Sequence, residues 1–500
     1  MSTTRSLWPS PSLILVLTLA VLLVAEARSA AAPAQTSLVR TVDLDVGETR
    51  TVTLSDGTTA VVKLLQVDVT REPVTRMLED QTVSLEVNGE RVTLRCGNYQ
   101  LPVKVGGVQV DSTAVAALTA DTSFDWWKLK QAARVRLWPA DSPWIERGTF
   151  VYPIKQRWFG STTWFSNEPV SRRPGPNGKV YYHAGMDIGA AEGLAEVVAA
   201  TDGVLVSVGT VRAPGAPHPA AQPRYDVVYV VDGRGWAYRY SHLNVIDPAL
   251  KPGGRVKMGQ RLGYVGKHGS SGGWTHLHFH IESVQPSGEW GVQDSYAFLW
   301  QAYREQYDPA LIAVARPQRS THVGGEVTLD ASRSWAKQGV RAFTWTLSDG
   351  TTANGATVRR TYARPGTYSE ILAVTDHAGN VDYDFALVRV YAGAKADGTA
   401  SVGWVHAAYA PTFGIKPGDP VVFRSRGFGA GAGNDVFDFG DGTPPVPVPS
   451  NIDSAQHAAN GYGAVIHHYR QPGHYIVKVE RKDEATGHVA MQHLRVIVEE

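Results

Sequence analysis

The stretch Trp274-Thr275-His276-Leu277-His278-Phe279-His280-Ile281 alternates polar and apolar residues with a period of two. That period suits a strand, whose successive side chains point to opposite faces, and it does not suit a helix. Leu277, Phe279 and Ile281 therefore share the face a core would take, and His276, His278 and His280 share the other. Neutral imidazole is the commonest protein ligand for zinc, so three on one strand face invite a metal reading. For this strand alone, a histidine-rich solvent face is the plainer alternative. Any fold of the chain has to bury the first face and find a use for the second.

The chain has 500 residues, more than one core can use. At about 100–200 residues per domain, three or four domains are expected. The net charge of +1 offers no electrostatic case for nucleic acid as a partner. Abundant Gly and Pro, with Val, Thr and Tyr, favour strands and turns. Cys96 is the only cysteine, which excludes an intrachain disulfide and a cysteine-rich zinc site. It is expected to be a small buried hydrophobe, not a nucleophile. Arg5 precedes the apolar run Leu13–Ala25, too short for a comfortable membrane span, and alanines continue to Ala34. Residues 1–30 are expected to be a cleaved secretory signal, with an uncleaved anchor as the alternative. The mature chain is then secreted, periplasmic or at the cell surface.

Residues 37–148 form a β-rich leader. Val42–Val46 and Val83–Val87 alternate, Asn88-Gly89 signals a hairpin, and Gly106-Gly107 marks another turn. Trp126, Trp127, Trp138 and Trp144 near its end are expected to pack a domain seam, with a carbohydrate platform as the alternative. The composition assigns this leader no role; an inhibitory segment lying over a neighbouring cleft is one reading open to it.

Residues 150–286 carry the chemistry. Val197–Gly209 has two short strands about Asp202-Gly203, and Val227–Tyr240 has a hairpin through Asp232-Gly233. Pro214, Pro217, Pro219 and Pro223 make the stretch between them a loop, expected at the rim of a cleft. His183-Ala184-Gly185-Met186-Asp187 sets an imidazole and a carboxylate four residues apart. Tyr240-Ser241-His242 ends a strand, and His276-Leu277-His278 follows a Gly-rich turn. A catalytic zinc needs three protein ligands and one open position, and metal-assisted hydrolysis also needs groups that manage protons and developing charge. On residue type alone, ligands could come from His183, Asp187, His242, His276, His278 and His280.

The order His-x-x-x-Asp, Tyr-x-His, His-x-His resembles the lysostaphin-type (LytM-like) zinc endopeptidases, which cut peptide bonds in bacterial peptidoglycan. The resemblance covers about residues 151–283. It implies that His183, Asp187 and His278 bind one Zn²⁺ and that His242 and His276 stay off the metal as catalytic residues. One of these two acts as general base on water; the other stabilises the oxyanion or protonates the leaving amine, with His276 favoured as the base. His276 and His278 lie roughly 6–7 Å apart along one strand face, so one can ligate while the other meets the water. Two departures stand out. His280 occupies a place where the family often has Glu, and it is expected to face solvent or to sit behind the ligands. Gly273-Trp274-Thr275-His276 replaces the common Gly-Pro-His. Tyr181, Tyr182, Trp158, Trp164 and Trp274 are candidates to line the cleft, whereas His218, His268, His467 and His468 are expected to have no part in catalysis.

The C-terminal region repeats itself. Trp345-Thr346-Leu347-Ser348-Asp349-Gly350-Thr351 with Pro365-Gly366 recurs as Phe437-Asp438-Phe439-Gly440-Asp441-Gly442-Thr443 with Pro472-Gly473. Both copies resemble PKD domains, small Ig-like β-sandwiches, the second closely and the first with Leu347-Ser348 in place of Phe-Gly. They are placed at 315–393 and 400–500, either as rigid spacers or as glycan- or protein-binding modules. The expected whole is a mostly β, multidomain chain: an antiparallel β-sheet peptidase domain between a β-rich N-terminal domain and two C-terminal Ig-like sandwiches. The expected function is a secreted zinc metalloendopeptidase acting on peptidoglycan stem peptides or cross-bridges. An extracellular protease on protein substrates and a non-catalytic regulator of cell-wall amidases are the alternatives.

Overall fold

The structure, a computed structural model, describes residues 35–500 except 73, 98, 159, 171–177, 216–217 and 394–401. The expected signal segment, residues 1–30, lies outside the described residues, as does Pro217 of the proline loop. No described helix is long and apolar enough to cross a membrane.

Antiparallel sheet dominates, as the alternating segments predict. The N-terminal region has two four-stranded sheets, one of them built from Thr49–Thr53, Thr59–Arg71, Leu78–Val87 and Glu90–Arg95. Its Asn88-Gly89 turn has both residues at positive φ, 48° and 86°, which suits the twist of a tight hairpin. In the other sheet, Arg134 meets Asp43 and Arg136 meets Asp111 at 2.8 and 2.6 Å, all four buried. Each arginine takes its carboxylate with two nitrogens, so the buried charges are paired and hydrogen-bonded. The hydrophobic core here extends beyond the region itself. It takes in Val180, Tyr182, Ala184 and Val292 of the next segment.

The central sheet is formed by β1 (Met186–Gly189), β2 (Gly203–Val208), β3 (Val228–Val231), β4 (Ala237–Ser241) and β5 (His276–Val284). Its order is Val211–Arg212, β2, β3, β4, β5, β1, Thr163–Trp164. β5 lies inside the sheet between β4 and β1, antiparallel to both. Leu277, Phe279 and Ile281 are fully buried, so the apolar face of the alternation is the core face. The strands flanking Asp202-Gly203 do not pair with each other. Glu196–Val198 joins a small sheet with Leu243–Ile246 and Arg261–Val265, while β2 pairs with β3.

A helix at Tyr296–Tyr307 was not visible in the sequence pattern. Tyr296 to Tyr303 are all buried, so its first two turns are covered on every side and show no amphipathic period to read. Trp158 packs on it, with ring centroids 5.7 Å from Trp300 and 5.8 Å from Tyr303. Trp158 therefore belongs to the core and does not line the cleft.

The C-terminal region contains two sandwiches joined through one sheet. β6 (Gly366–Asp376) of the first runs parallel to β8 (Val489–Val498) of the second at Gly366↔Val489 and Thr367↔Ala490, and β7 (Trp404–Ala410) opens the second. The repeated Asp-Gly-Thr turns are alike in detail: Asp349 accepts the Thr351 N–H at 3.0 Å and Asp441 the Thr443 N–H at 3.1 Å.

Candidate metal centre

Register places the first two candidates. Asp187 on β1 and Ser241 on β4 both lie directly opposite His278 on β5. Opposite residues of neighbouring strands share a face, so the Asp187 carboxylate meets the His278 imidazole. His183 arrives by a bend at Gly185, whose φ is +83°. A Cβ at Gly185 would overlap His280 Cβ and the Phe279 carbonyl, so only glycine lets this segment lie against β5. Val180, Tyr182 and Ala184 alternate into the N-terminal core, and His183 points away from it towards Asp187.

The three side chains converge on one point. His183 Nε2 lies 3.0 Å from Asp187 Oδ1 and 3.1 Å from His278 Nδ1, and His278 Nδ1 lies 2.7 Å from Asp187 Oδ1. Zinc–nitrogen distances of 2.0–2.1 Å imply donors about 3.3 Å apart in a tetrahedral site. Two imidazoles and one carboxylate at these separations fit three corners, and they leave the fourth for water or substrate. The charges agree. Burial alone would raise the Asp187 carboxyl, but His183, His276 and His278 outweigh it and hold it well below the usual range. Burial prevails at His278 and keeps its imidazole neutral, as a ligand requires. At His183 burial is outweighed by the Asp187 carboxylate, which lifts the imidazole above its ordinary value.

Two more imidazoles flank the site. His276 Nδ1 lies 3.1 Å from the Trp274 carbonyl and His242 Nδ1 2.6 Å from the His268 carbonyl, so each Nδ1 carries the proton. His276 Nε2 is then a free base, 3.4 Å from Asp187 Oδ2. Burial pushes His276 down to about 3 against the pull of Asp187. The two rings stand 4.6 Å apart. Behind them the environments differ. His242 has the buried Asp226 carboxylate 3.4 Å from Nδ1, and its own N–H donates to Asp226 at 2.9 Å. Arg224 Nη2 donates to the same carboxylate at 2.7 Å. Among the described residues no carboxylate stands behind His276 Nδ1; the Trp274 indole stacks on the ring face, centroids 3.9 Å apart at 19°. Neither Asp226 nor Arg224 was found from sequence, because a lone Arg-x-Asp in a loop carries no spacing signal.

His280 is buried and does not face solvent. Its Nδ1 lies 2.9 Å from His278 Nε2, and its Nε2 lies 3.3 Å from Glu282 Oε1. The aromatic candidates divide. Tyr181 sits near enough to Asp187 for the carboxylate to raise its phenol, after burial, and it touches the exposed Phe124. Tyr182 is turned into the N-terminal core, where its hydroxyl bonds Asp121 and the Leu78 N–H. Trp164 lies opposite Asp187 in the sheet and is covered by Arg389. Trp127 and Trp138 are buried at the seam, but Trp126 reaches across it to His280, centroids 6.4 Å apart. His218 packs on Trp290, His467 pairs with Asp441, and His468 contacts the Gly418 carbonyl.

Two imidazoles and a carboxylate that could hold a metal ion, with two further imidazoles beside them, make this a candidate metal centre. Residues 181–289 match the sequence model of peptidase family M23, and residues 309–390 match that of the PKD domain. The chain thus carries an M23 peptidase domain followed by a PKD domain. No curated protein matches it. Similar solved structures include Helicobacter pylori Csd3, at 12% identity over 52% of this chain and 82% of that one, TM-score 0.21. The D0-D1 domain of intimin is similar at 13% identity over 37% and 98%, TM-score 0.22.

Proposed function

We propose that the protein is an extracytoplasmic zinc metalloendopeptidase that hydrolyses peptide bonds in peptidoglycan. The convergence of His183, Asp187 and His278 beside two free imidazoles, inside a peptidase-family segment, supports the reading best. Zinc in this site would polarise the scissile carbonyl and lower the pKa of water to about 7. His276, neutral and with Nε2 free, accepts the proton of the attacking water. The buried Asp226 carboxylate lies 3.4 Å from His242 Nδ1 and holds the ring in place. His242 donates to the developing oxyanion and then to the leaving amine. Asp187 brings a negative charge that offsets part of the metal's.

Purified protein and dye-labelled peptidoglycan test the reading. Metal analysis should find one zinc per chain, and release of dye should stop on chelation and return with zinc. Bound zinc with release from casein but not from peptidoglycan would move the assignment to an extracellular protein protease. Zinc-free protein that stimulates an amidase would move it to a non-catalytic regulator, a reading disfavoured by the presence of every ligand position.

A further inference from the structure

The three residues before His276 are each held by the last sandwich of the chain. The Gly273 carbonyl accepts Arg426 Nη1 at 3.0 Å. The Trp274 indole, stacked on His276, is packed edge-on by His406 and Trp404, centroids 5.2 and 6.2 Å away. The Thr275 N–H donates to the Tyr462 hydroxyl at 3.0 Å, and that hydroxyl lies 2.8 Å from His406 Nδ1. Burial keeps the phenol protonated and His406 neutral, so the hydroxyl accepts from Thr275 and donates to His406. Gly273 itself has no room for a side chain, since a Cβ would overlap the Gln456 carbonyl. Trp274, Thr275, His406, Arg426 and Tyr462 are buried, and a buried donor without its partner is costly.

We propose that the C-terminal sandwich is part of the catalytic machinery, with Tyr462 and His406 as positioning residues for the base His276. The chain of cause is short. The Trp274 carbonyl fixes the proton on His276 Nδ1 and so frees Nε2, and the Trp274 ring fixes the plane of the imidazole. Both depend on the backbone from Gly273 to Thr275, which has no regular secondary structure of its own and is pinned from across the domain boundary. The ligand residues His183 and Asp187 enter on other segments, and His278, two residues beyond His276, is held by the pairing of β5 with β1 and β4. The module therefore governs the base and not the metal. This inference rests on the assignment of His276 proposed above.

The test uses full-length protein and Tyr462→Phe, which deletes one oxygen. Losing a buried hydrogen-bond partner should lower kcat on dye-labelled peptidoglycan about ten-fold, with KM within about two-fold of wild type. Zinc affinity, read by chelator competition, should be unchanged. Modification of His276 by diethyl pyrocarbonate, read by mass spectrometry, should speed up, because the loop loosens. A wild-type kcat in Tyr462→Phe, an equal loss of zinc affinity, or unchanged labelling of His276 would each overturn the proposal. The labelling arm decides even where peptidoglycan is not the substrate: an inactive wild type with bound zinc overturns the substrate reading alone.

Discussion

His280 Nδ1 sits 2.9 Å behind His278 Nε2, and Glu282 sits 3.3 Å behind His280. For His278 to offer its Nδ1 lone pair to a metal, its Nε2 must carry the proton and donate it to His280. His280 must then hold its own proton on Nε2, towards Glu282. The His278–His280 hydrogen bond sets one tautomer and orients one ligand, and the Glu282 carboxylate lies beside His280 at ion-pair distance. Outer partners of this kind typically change metal affinity by about 10–100-fold when removed. His280→Ala is expected to weaken zinc binding within that range, measured by chelator competition, and Glu282→Gln to weaken it less.

His278→Ala and Asp187→Ala each remove one of three converging donors. Both variants should purify without stoichiometric zinc and lack chelator-sensitive activity. Retention of one zinc per chain in either would show that the metal is held elsewhere.

Asp226 sets His242 apart from His276. Asp226→Asn removes the buried charge behind His242 but keeps the shape of the side chain. Acid–base assistance is typically worth about 10²–10⁴-fold, so kcat should fall by about 100-fold at unchanged zinc content. An unchanged kcat in Asp226→Asn would show that this charge has no part in the reaction.

His406 and His493 sit in the last sandwich, and burial pushes them to about 3 and about 4. His493 also bridges the two sandwiches, its Nδ1 2.9 Å from Ser369 Oγ. In the unfolded chain each imidazole titrates near pH ~6.5. Below that pH the unfolded state takes up protons that the folded state refuses, so stability is present above ~6.5 and is lost as pH falls towards the folded values. The limiting slope is ~1.4 kcal/mol per pH unit for each group. Thermal unfolding of the C-terminal region should therefore be flat at about pH 7–8 and weaken below ~6.5. The His493→Asn variant should show a shallower acid slope.

The alternation from His276 to Ile281 was enough to identify a strand, its buried face and its three imidazoles, and the spacing from His183 to Asp187 was enough to suspect ligands. What brings them together is register between strands far apart in the chain, and no local pattern encodes that. Asp226 and Tyr462 stayed invisible for a related reason: their importance comes from what they stand behind. The helix at Tyr296–Tyr307 escaped because its first two turns, buried on every side, have no polar face to mark a period. The continuous sheet through both sandwiches also lies outside the repeat pattern, which describes each copy alone.

The run from Val180 to Ala184 threads one core with every second side chain while His183, between them, faces the metal site. A recombination breakpoint just upstream of His183, where the peptidase motif begins, would cut through packed side chains and not through a linker. The motif could not be moved as a cassette without repacking that core. A graft of the motif into another chain would have to carry the leader, the central sheet and the last sandwich together, because each lends it packed side chains.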